Sequence, residues 1–185
     1  MFRIFASLAL IAAMSPAFAQ STEEPAENEQ VQELEPPMTL VRLAEIVQAL
    51  DPNAQSSGTS FQMVINEIPI VIITDPVADR MRAMTPVTQV GSLSGEQLMR
   101  VMQANFDTAL DARYAVAQGT LWSTFIHPLS ALEKNQLISG LGQTVNLAQT
   151  FGTLYTGGAQ SFAGGDSAPL QRELIQDLLE QGEEI

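Results

Sequence analysis

The chain has 185 residues, one histidine, no cysteine and a formal net charge of −13. Without cysteine it can form no disulfide, use no thiol nucleophile and bind no metal through thiolates. The acidity lies mainly in residues 20–37 and 166–185, whereas residues 38–165 have nine acids and six bases. No basic patch is available to neutralise phosphates, which argues against nucleic-acid binding.

Residues 1–19 have the three parts of a secretory signal peptide, in the usual order. Arg3 supplies the positive charge, residues 4–14 are almost entirely apolar, and Ala17-Phe18-Ala19 is typical of a signal-peptidase site. The apolar run of 11 residues is too short for a membrane span, which needs about 20. We therefore expect cleavage before Gln20, export to the periplasm and no stable membrane span.

Residues 20–37 predict a disordered acidic leader, because they contain six glutamates, no basic residue and few apolar side chains. A first helix is predicted after this leader, with Thr39 as its N-cap. It should end before Asp51, since the residue that precedes a proline is disfavoured in a helix.

Three strands are predicted next, over residues 60–66, 70–73 and 80–87, with residues 56–58 as a loop before them. The second strand is a continuous β-branched run, which is typical of a strand covered on both faces. The third alternates charged and apolar residues, which predicts one wetter face.

A second helix is predicted to open at a capping box of Ser94 and Gln97. Helical spacing predicts a single buried stripe along it. Its members are Leu98, Val101, Met102, Phe106, Ala109 and Leu110.

A tight hairpin follows, with Gln118-Gly119 at the turn. This turn places Val116 opposite Leu121 and Ala115 opposite Trp122.

A third helix is predicted to open at a capping box of Ser130 and Glu133 and to run to about Tyr155. Gly140 and Gly142 inside it cost about 1 kcal/mol each relative to alanine. We therefore expect another element to approach closely there.

Residues 158–168 predict a Gly/Ser-rich linker, and residues 169–185 an amphipathic acidic helix and tail. The complete order is α-β-β-β-α-β-β-α followed by this C-terminal helix. Short connections between successive strands favour an antiparallel sheet. The sequence therefore predicts an α+β domain over residues 38–157, with an antiparallel five-stranded sheet and helices.

Four stretches of this domain resemble the YbjN family: Met81–Val87, Ala104–Phe106, Asp111–Gly119 and Leu121–Leu129. Proteins of that family are catalogued as bacterial sensory-transduction regulators and share the fold of type III secretion chaperones. The resemblance covers about residues 39–157. It implies a type III secretion chaperone-like fold and a protein-binding or regulatory role without an established active site. It also implies a homodimer that pairs through the second helix and the adjoining strands.

Motifs of catalysis and of metal or cofactor binding are absent from the sequence, so neither a cofactor nor a metal is predicted. His127 precedes Pro128 at a strand end, which suits a partly buried structural residue better than a general base. A small periplasmic hydrolase that uses His127 and a serine is the alternative function, and a structural envelope component is a further one.

The predicted function is an exported, non-enzymatic module that binds a protein or peptide. Met99 and Met102 are candidate partner-binding residues, because Met99 extends the apolar stripe of the second helix beyond what one sheet needs. The terminal helix adds Leu170, Leu174 and Leu178 on one side. This side must dock on the domain, pair with another copy or bind a partner.

Overall fold

The structure is a computed structural model, and it describes residues 35–107, 109–152 and 168–183. The predicted signal peptide, nearly all of the predicted leader and the predicted linker up to residue 167 lie outside these residues. The helices and strands of the described part are α1 (Leu40–Leu50), β1 (Gln55–Ser57), β2 (Ser60–Ile65), β3 (Ile68–Asp75), β4 (Arg80–Gln89), α2 (Gly95–Asp107), β5 (Arg113–Ala117), β6 (Thr120–His127), α3 (Lys134–Thr150) and α4 (Ala168–Glu183).

The described strands form one antiparallel sheet in the order β1-β2-β3-β4-β6-β5. The predicted α+β class with an antiparallel sheet is therefore confirmed, but the sheet has six strands where five were predicted. The additional strand is β1, which consists of three exposed polar residues. A sequence without alternating apolar residues does not predict a strand. Segment β1 becomes a strand only by pairing with the start of β2.

The predicted register of the β5–β6 hairpin is confirmed, with Ala115 opposite Trp122 and Val116 opposite Leu121. Gln118 and Gly119 have positive φ angles of 51° and 73°. Positive φ at both central residues is what a two-residue type I′ turn requires, and this turn matches the twist of the two strands. The hairpin is thus specified locally.

Helix α3 covers the inner face of the sheet, where it contacts β3, β4, β5 and β6. The close approaches predicted at its two glycines are confirmed. A Cβ atom at Gly140 would lie 2.5 Å from Cε1 of Phe125 in β6, and one at Gly142 would lie 2.7 Å from Cγ1 of Ile175 in α4. The two glycines therefore let α3 pack closely against the sheet and against α4.

The opposite face of the sheet is partly exposed. Ile70 and Ile72 of β3 are buried, but Val71 is half-buried and Ile73 is exposed. The prediction that this strand is covered on both faces is therefore wrong. A β-branched run favours a pleated, half-buried surface as readily as a fully buried one, so composition cannot distinguish the two.

Helix α3 begins later than predicted, at Lys134, and its capping box consists of Glu133 and Gln136. Ser130 was predicted as the cap, but its backbone N–H and its hydroxyl donate hydrogen bonds to the Asp79 carboxylate at 2.7 and 2.8 Å. These bonds hold the pKa of Asp79 below its ordinary value. They connect the turn between β3 and β4 to the loop before α3.

Candidate protein-binding surface

One asparagine holds α2 at the edge of the sheet. The side-chain oxygen of Asn105 accepts a hydrogen bond from the backbone N–H of Tyr114 at 2.7 Å, and its amide donates to the Tyr114 carbonyl at 3.0 Å. The register of the hairpin directs these Tyr114 groups away from β6. The Asn105 amide thus takes the place of a neighbouring strand and protects the edge of β5 from pairing with another chain.

The N-terminus of α2 is fixed by the predicted capping box, which is confirmed. The backbone N–H of Ser94 donates to the side-chain oxygen of Gln97 at 2.8 Å, and the N–H of Gln97 donates to the Ser94 hydroxyl oxygen at 3.1 Å. Together with Asn105, this box determines which face of α2 points away from the domain.

The outward face of α2 is apolar. Met99, Met102 and Phe106 are 69%, 46% and 69% exposed, and their spacing places them on one side of the helix. Val101 and Ala104, which are buried, lie about 150° around the helix from them. We call the three exposed residues the α2 surface.

The single buried stripe predicted for α2 is therefore wrong. Val101 is buried, but Met102, Phe106 and Leu110 are exposed. The helix carries two apolar stripes, and the edge of a sheet is too narrow to cover both. The spacing of Met99, Met102 and Phe106 was the signal that could have identified Phe106 as a surface residue.

The α2 surface has the chemistry of an adaptable contact. Full burial of a methionine or phenylalanine side chain contributes about 1.5 to 3 kcal/mol, and more than half of this remains to be gained at Met99 and Phe106. Flexible thioether side chains fit partners of irregular shape. A contiguous apolar helix face differs from scattered apolar residues, which are common on monomers.

The candidate residues of the terminal helix have a different environment. Leu174 and Leu178 of α4 are buried, and α4 packs on α3 and α1. Lys134 Nζ donates a hydrogen bond to the Gly182 carbonyl at 2.9 Å, near the end of α4. Of the three roles predicted for the apolar side of this helix, the structure shows the first, in which it docks on its own domain. The side chain of Leu170 lies outside the described part of the chain.

His127 borders a groove of about 550 Å³ between the end of β6 and the first turns of α3. Its Nδ1 lies 2.8 Å from the Pro128 carbonyl oxygen. Because that oxygen can only accept, the contact is a hydrogen bond in the tautomer that has its proton on Nδ1. The ring stacks on Phe125 with centroids 5.9 Å apart. Ser139 borders the same groove, and its hydroxyl accepts from the side-chain amide of Gln143 at 3.2 Å.

The described residues contain two ion pairs, Arg42 with Glu35 and Arg100 with Glu96, and no metal site. No three acidic or histidine side chains in this part of the chain cluster closely enough to hold an ion. Glu35 pairs with Arg42, and the hydrogen bond from the Lys134 backbone N–H is the main reason that its pKa is below the ordinary value. Within the same part, no helix is both long and apolar enough to cross a membrane.

No protein-family model matches the sequence, and no curated protein matches it. A chain of the HopA1–SchA chaperone–effector complex is similar in structure, with 9% identity, a TM-score of 0.45, and coverage of 59% of this chain and 91% of that chain. A chain of the ExsC–ExsE complex is similar with 9% identity, a TM-score of 0.44, and coverage of 58% and 94%. Neither likeness identifies a partner or an activity, and the resemblance to the YbjN family stays a prediction.

Proposed function

We propose that this protein is an exported, non-enzymatic module of the YbjN type that binds a protein or peptide through the α2 surface. The observation that carries the proposal is the apolar face formed by Met99, Met102 and Phe106, on a helix that Asn105 fixes at the sheet edge. An exposed apolar helix face of this kind is a suitable surface for another chain to cover.

The surroundings of His127 favour binding over hydrolysis. A serine hydrolase needs its base within about 2.6 to 3.2 Å of the nucleophile. In the described part of the chain no hydrogen bond joins His127 to a serine, and the Ser139 hydroxyl is bonded to Gln143. A large loss of turnover in a folded His127→Ala variant, for any activity found, would support the hydrolase instead.

Replacing Met99 and Phe106 together by serine should weaken partner binding at least tenfold. Each of the two exposed side chains would gain about 1 to 2 kcal/mol on burial, and 1.4 kcal/mol corresponds to a factor of ten. The partner is first identified in the native periplasm with a photo-crosslinking residue at position 102. Binding of the purified partner is then measured by calorimetry.

Val77→Ser is the matched control for this double variant. Val77 is 99% exposed in the turn between β3 and β4, so its loss removes exposed apolar area away from α2. We expect partner binding to be unchanged. Equal weakening by the control and the double variant would contradict a role of the α2 surface.

The mature protein should begin at Gln20 and fractionate with the periplasmic contents. The reason is the signal peptide and cleavage site predicted in residues 1–19. Intact-mass measurement of the protein from its native cells tests this directly. A chain that still carries Met1 to Ala19 would contradict export by cleavage.

A second copy of the chain is one partner that the α2 surface could bind. Light scattering of residues 20–185 at micromolar concentration should give the mass of two chains. Loss of Arg3 with the signal peptide changes the net charge from −13 to −14. Repulsion between copies is screened within about 8 Å at physiological salt, so added salt should strengthen the dimer.

A shortened chain ending at residue 158 separates the roles of α2 and α4 in this self-association. Because Leu174 and Leu178 are buried in their own domain, we expect the shortened chain to remain a dimer. The Met99→Ser, Phe106→Ser double variant should be a monomer. A monomeric mass for both the full and the shortened chain would contradict self-association.

A further inference from the structure

The face of the sheet opposite α3, which we call the outer sheet face, places an arginine between two exposed isoleucines. Arg82 of β4 lies opposite Ile73 of β3 on one side and opposite Ile126 of β6 on the other. The two isoleucines are 45% and 52% exposed. The Cβ atoms of side chains directly opposite each other on neighbouring strands are about 5 Å apart, so the base of the Arg82 side chain has an isoleucine on each side.

More apolar side chains continue this face on both sides of Arg82. Val64 of β2 is exposed, and Val71, Met84 and Trp122 are half-buried. Strand alternation and the cross-strand register place all four on the outer sheet face. The apolar band runs from β2 to β6, which is about 14 Å across at the usual strand spacing.

The charge of the outer sheet face is opposite to that of the chain. Its strand residues include three arginines, Arg80, Arg82 and Arg113, and one acidic residue, Asp75. Their net charge is therefore +2, whereas that of the chain is −13. Within the described part of the chain, the side chain of Arg82 forms no hydrogen bond and no ion pair. By contrast, Arg100 on α2 pairs with Glu96 at 3.2 Å.

We propose that the outer sheet face docks an acidic amphipathic helix of a partner protein. The apolar side of that helix covers the band around Ile73 and Ile126, and its carboxylates meet the three arginines. The backbone groups of a sheet face are already paired within the sheet, so a helix covers it better than an added strand does. This docking is independent of the α2 surface, which lies at the sheet edge.

An anionic membrane is the competing occupant, since arginine beside tryptophan and isoleucine also suits a lipid surface. The net charge of the chain argues for the protein helix. The outer sheet face has a net charge of +2, but the whole chain has a net charge of −13. An anionic membrane would therefore meet many more acidic than basic residues and would repel the chain within the screening distance.

Trp122 makes a direct test available, because it is the only tryptophan of the chain and belongs to this face. The probe is a synthetic tryptophan-free helix of about 18 residues, long enough to be helical alone, with leucine on one side and glutamate on the other. Its binding to residues 20–185 should shift the Trp122 emission to the blue and weaken as salt is added. The same peptide with lysine in place of glutamate should bind at least tenfold more weakly.

Two arginine variants then locate the contact. Arg82→Glu should weaken binding of the glutamate peptide at least tenfold, and Arg82→Gln should weaken it less while keeping the same fold. Arg100→Glu on α2 should leave it unchanged. Equal binding of both peptides, equal effects of Arg82→Glu and Arg100→Glu, or a Trp122 shift with phosphatidylserine vesicles in place of the glutamate peptide would overturn the proposal.

Discussion

Replacing Gln143 by leucine should destabilise the fold by about 1 to 3 kcal/mol, because the buried backbone N–H of Ala112 loses its partner. The side-chain oxygen of Gln143, a buried residue of α3, accepts hydrogen bonds from the backbone N–H groups of Asp111 and Ala112 at 2.7 and 3.0 Å. Leucine has a similar size but no acceptor. Each buried donor that is left unpaired costs about 1 to 3 kcal/mol.

The control for this change is Gln149→Leu, which places the same substitution on the same helix. Gln149 is exposed, and its amide donates one long hydrogen bond, of 3.3 Å, to the Asn66 carbonyl. Its replacement should change the free energy of unfolding by less than about 1 kcal/mol. Urea unfolding of both variants makes the comparison. Similar losses in the two would contradict the importance of the Gln143 bonds.

Gln143 should also affect binding at the α2 surface, because it fixes the chain between α2 and β5. The amide nitrogen of Gln143 donates to the Asp111 carboxylate at 3.2 Å, so the side chain holds this segment through both of its ends. Two residues after Ala112, the backbone of Tyr114 forms two hydrogen bonds with the side chain of Asn105 in α2. We therefore expect Gln143→Leu to loosen α2 and to weaken any binding that uses the α2 surface.

The parts of the fold that were predicted correctly depend on neighbours in sequence. The register of the β5–β6 hairpin follows from a two-residue turn at Gln118-Gly119 and from strand alternation. The capping box of Ser94 and Gln97 is equally local. Close approach at Gly140 and Gly142 was predictable because glycine inside a helix otherwise costs stability.

The parts that were missed depend on distant residues. The amide of Asn105 pairs with the Tyr114 backbone, and Ser130 bonds Asp79 across 51 positions of the chain. Neither contact leaves a periodic signal in the sequence. Because Ser130 is hydrogen-bonded to Asp79, the N-cap of α3 is Glu133 instead.

The candidate binding residues also differ in how far their environment depends on distant parts of the chain. Met99 was recognised because it lies beside the apolar stripe predicted for α2, and its exposure follows from that excess. Phe106 was assigned to the core because helical spacing alone cannot tell which of two apolar stripes meets the sheet. For Leu174 and Leu178, a helix that docks on its own chain and one that docks on a partner have the same amphipathic pattern. The sequence therefore could not distinguish the two.

Replacing Gly142 by valine should release α4 from α3 and destabilise the protein by about 1 to 3 kcal/mol, the usual cost of overpacking. A Cβ atom at this position would lie 2.7 Å from Cγ1 of Ile175 and 3.4 Å from Cδ1 of Leu178, both in α4. The two added methyl groups of valine need further space. Since β6 meets α3 at Gly140 and not at Gly142, the sheet should keep its packing.

Hydrogen exchange separates release of α4 from general destabilisation. Amides of residues 172–183 should lose protection in the Gly142→Val variant, whereas those of β4 and β6 should keep it. Gly95→Val is the control, because a Cβ atom at Gly95, in the first turn of α2, meets nothing within 4 Å. It should leave α4 protected and change stability by about 0.5 kcal/mol or less. Undiminished protection of α4 in Gly142→Val would mean that the contact of Gly142 with Ile175 does not hold the helix in place.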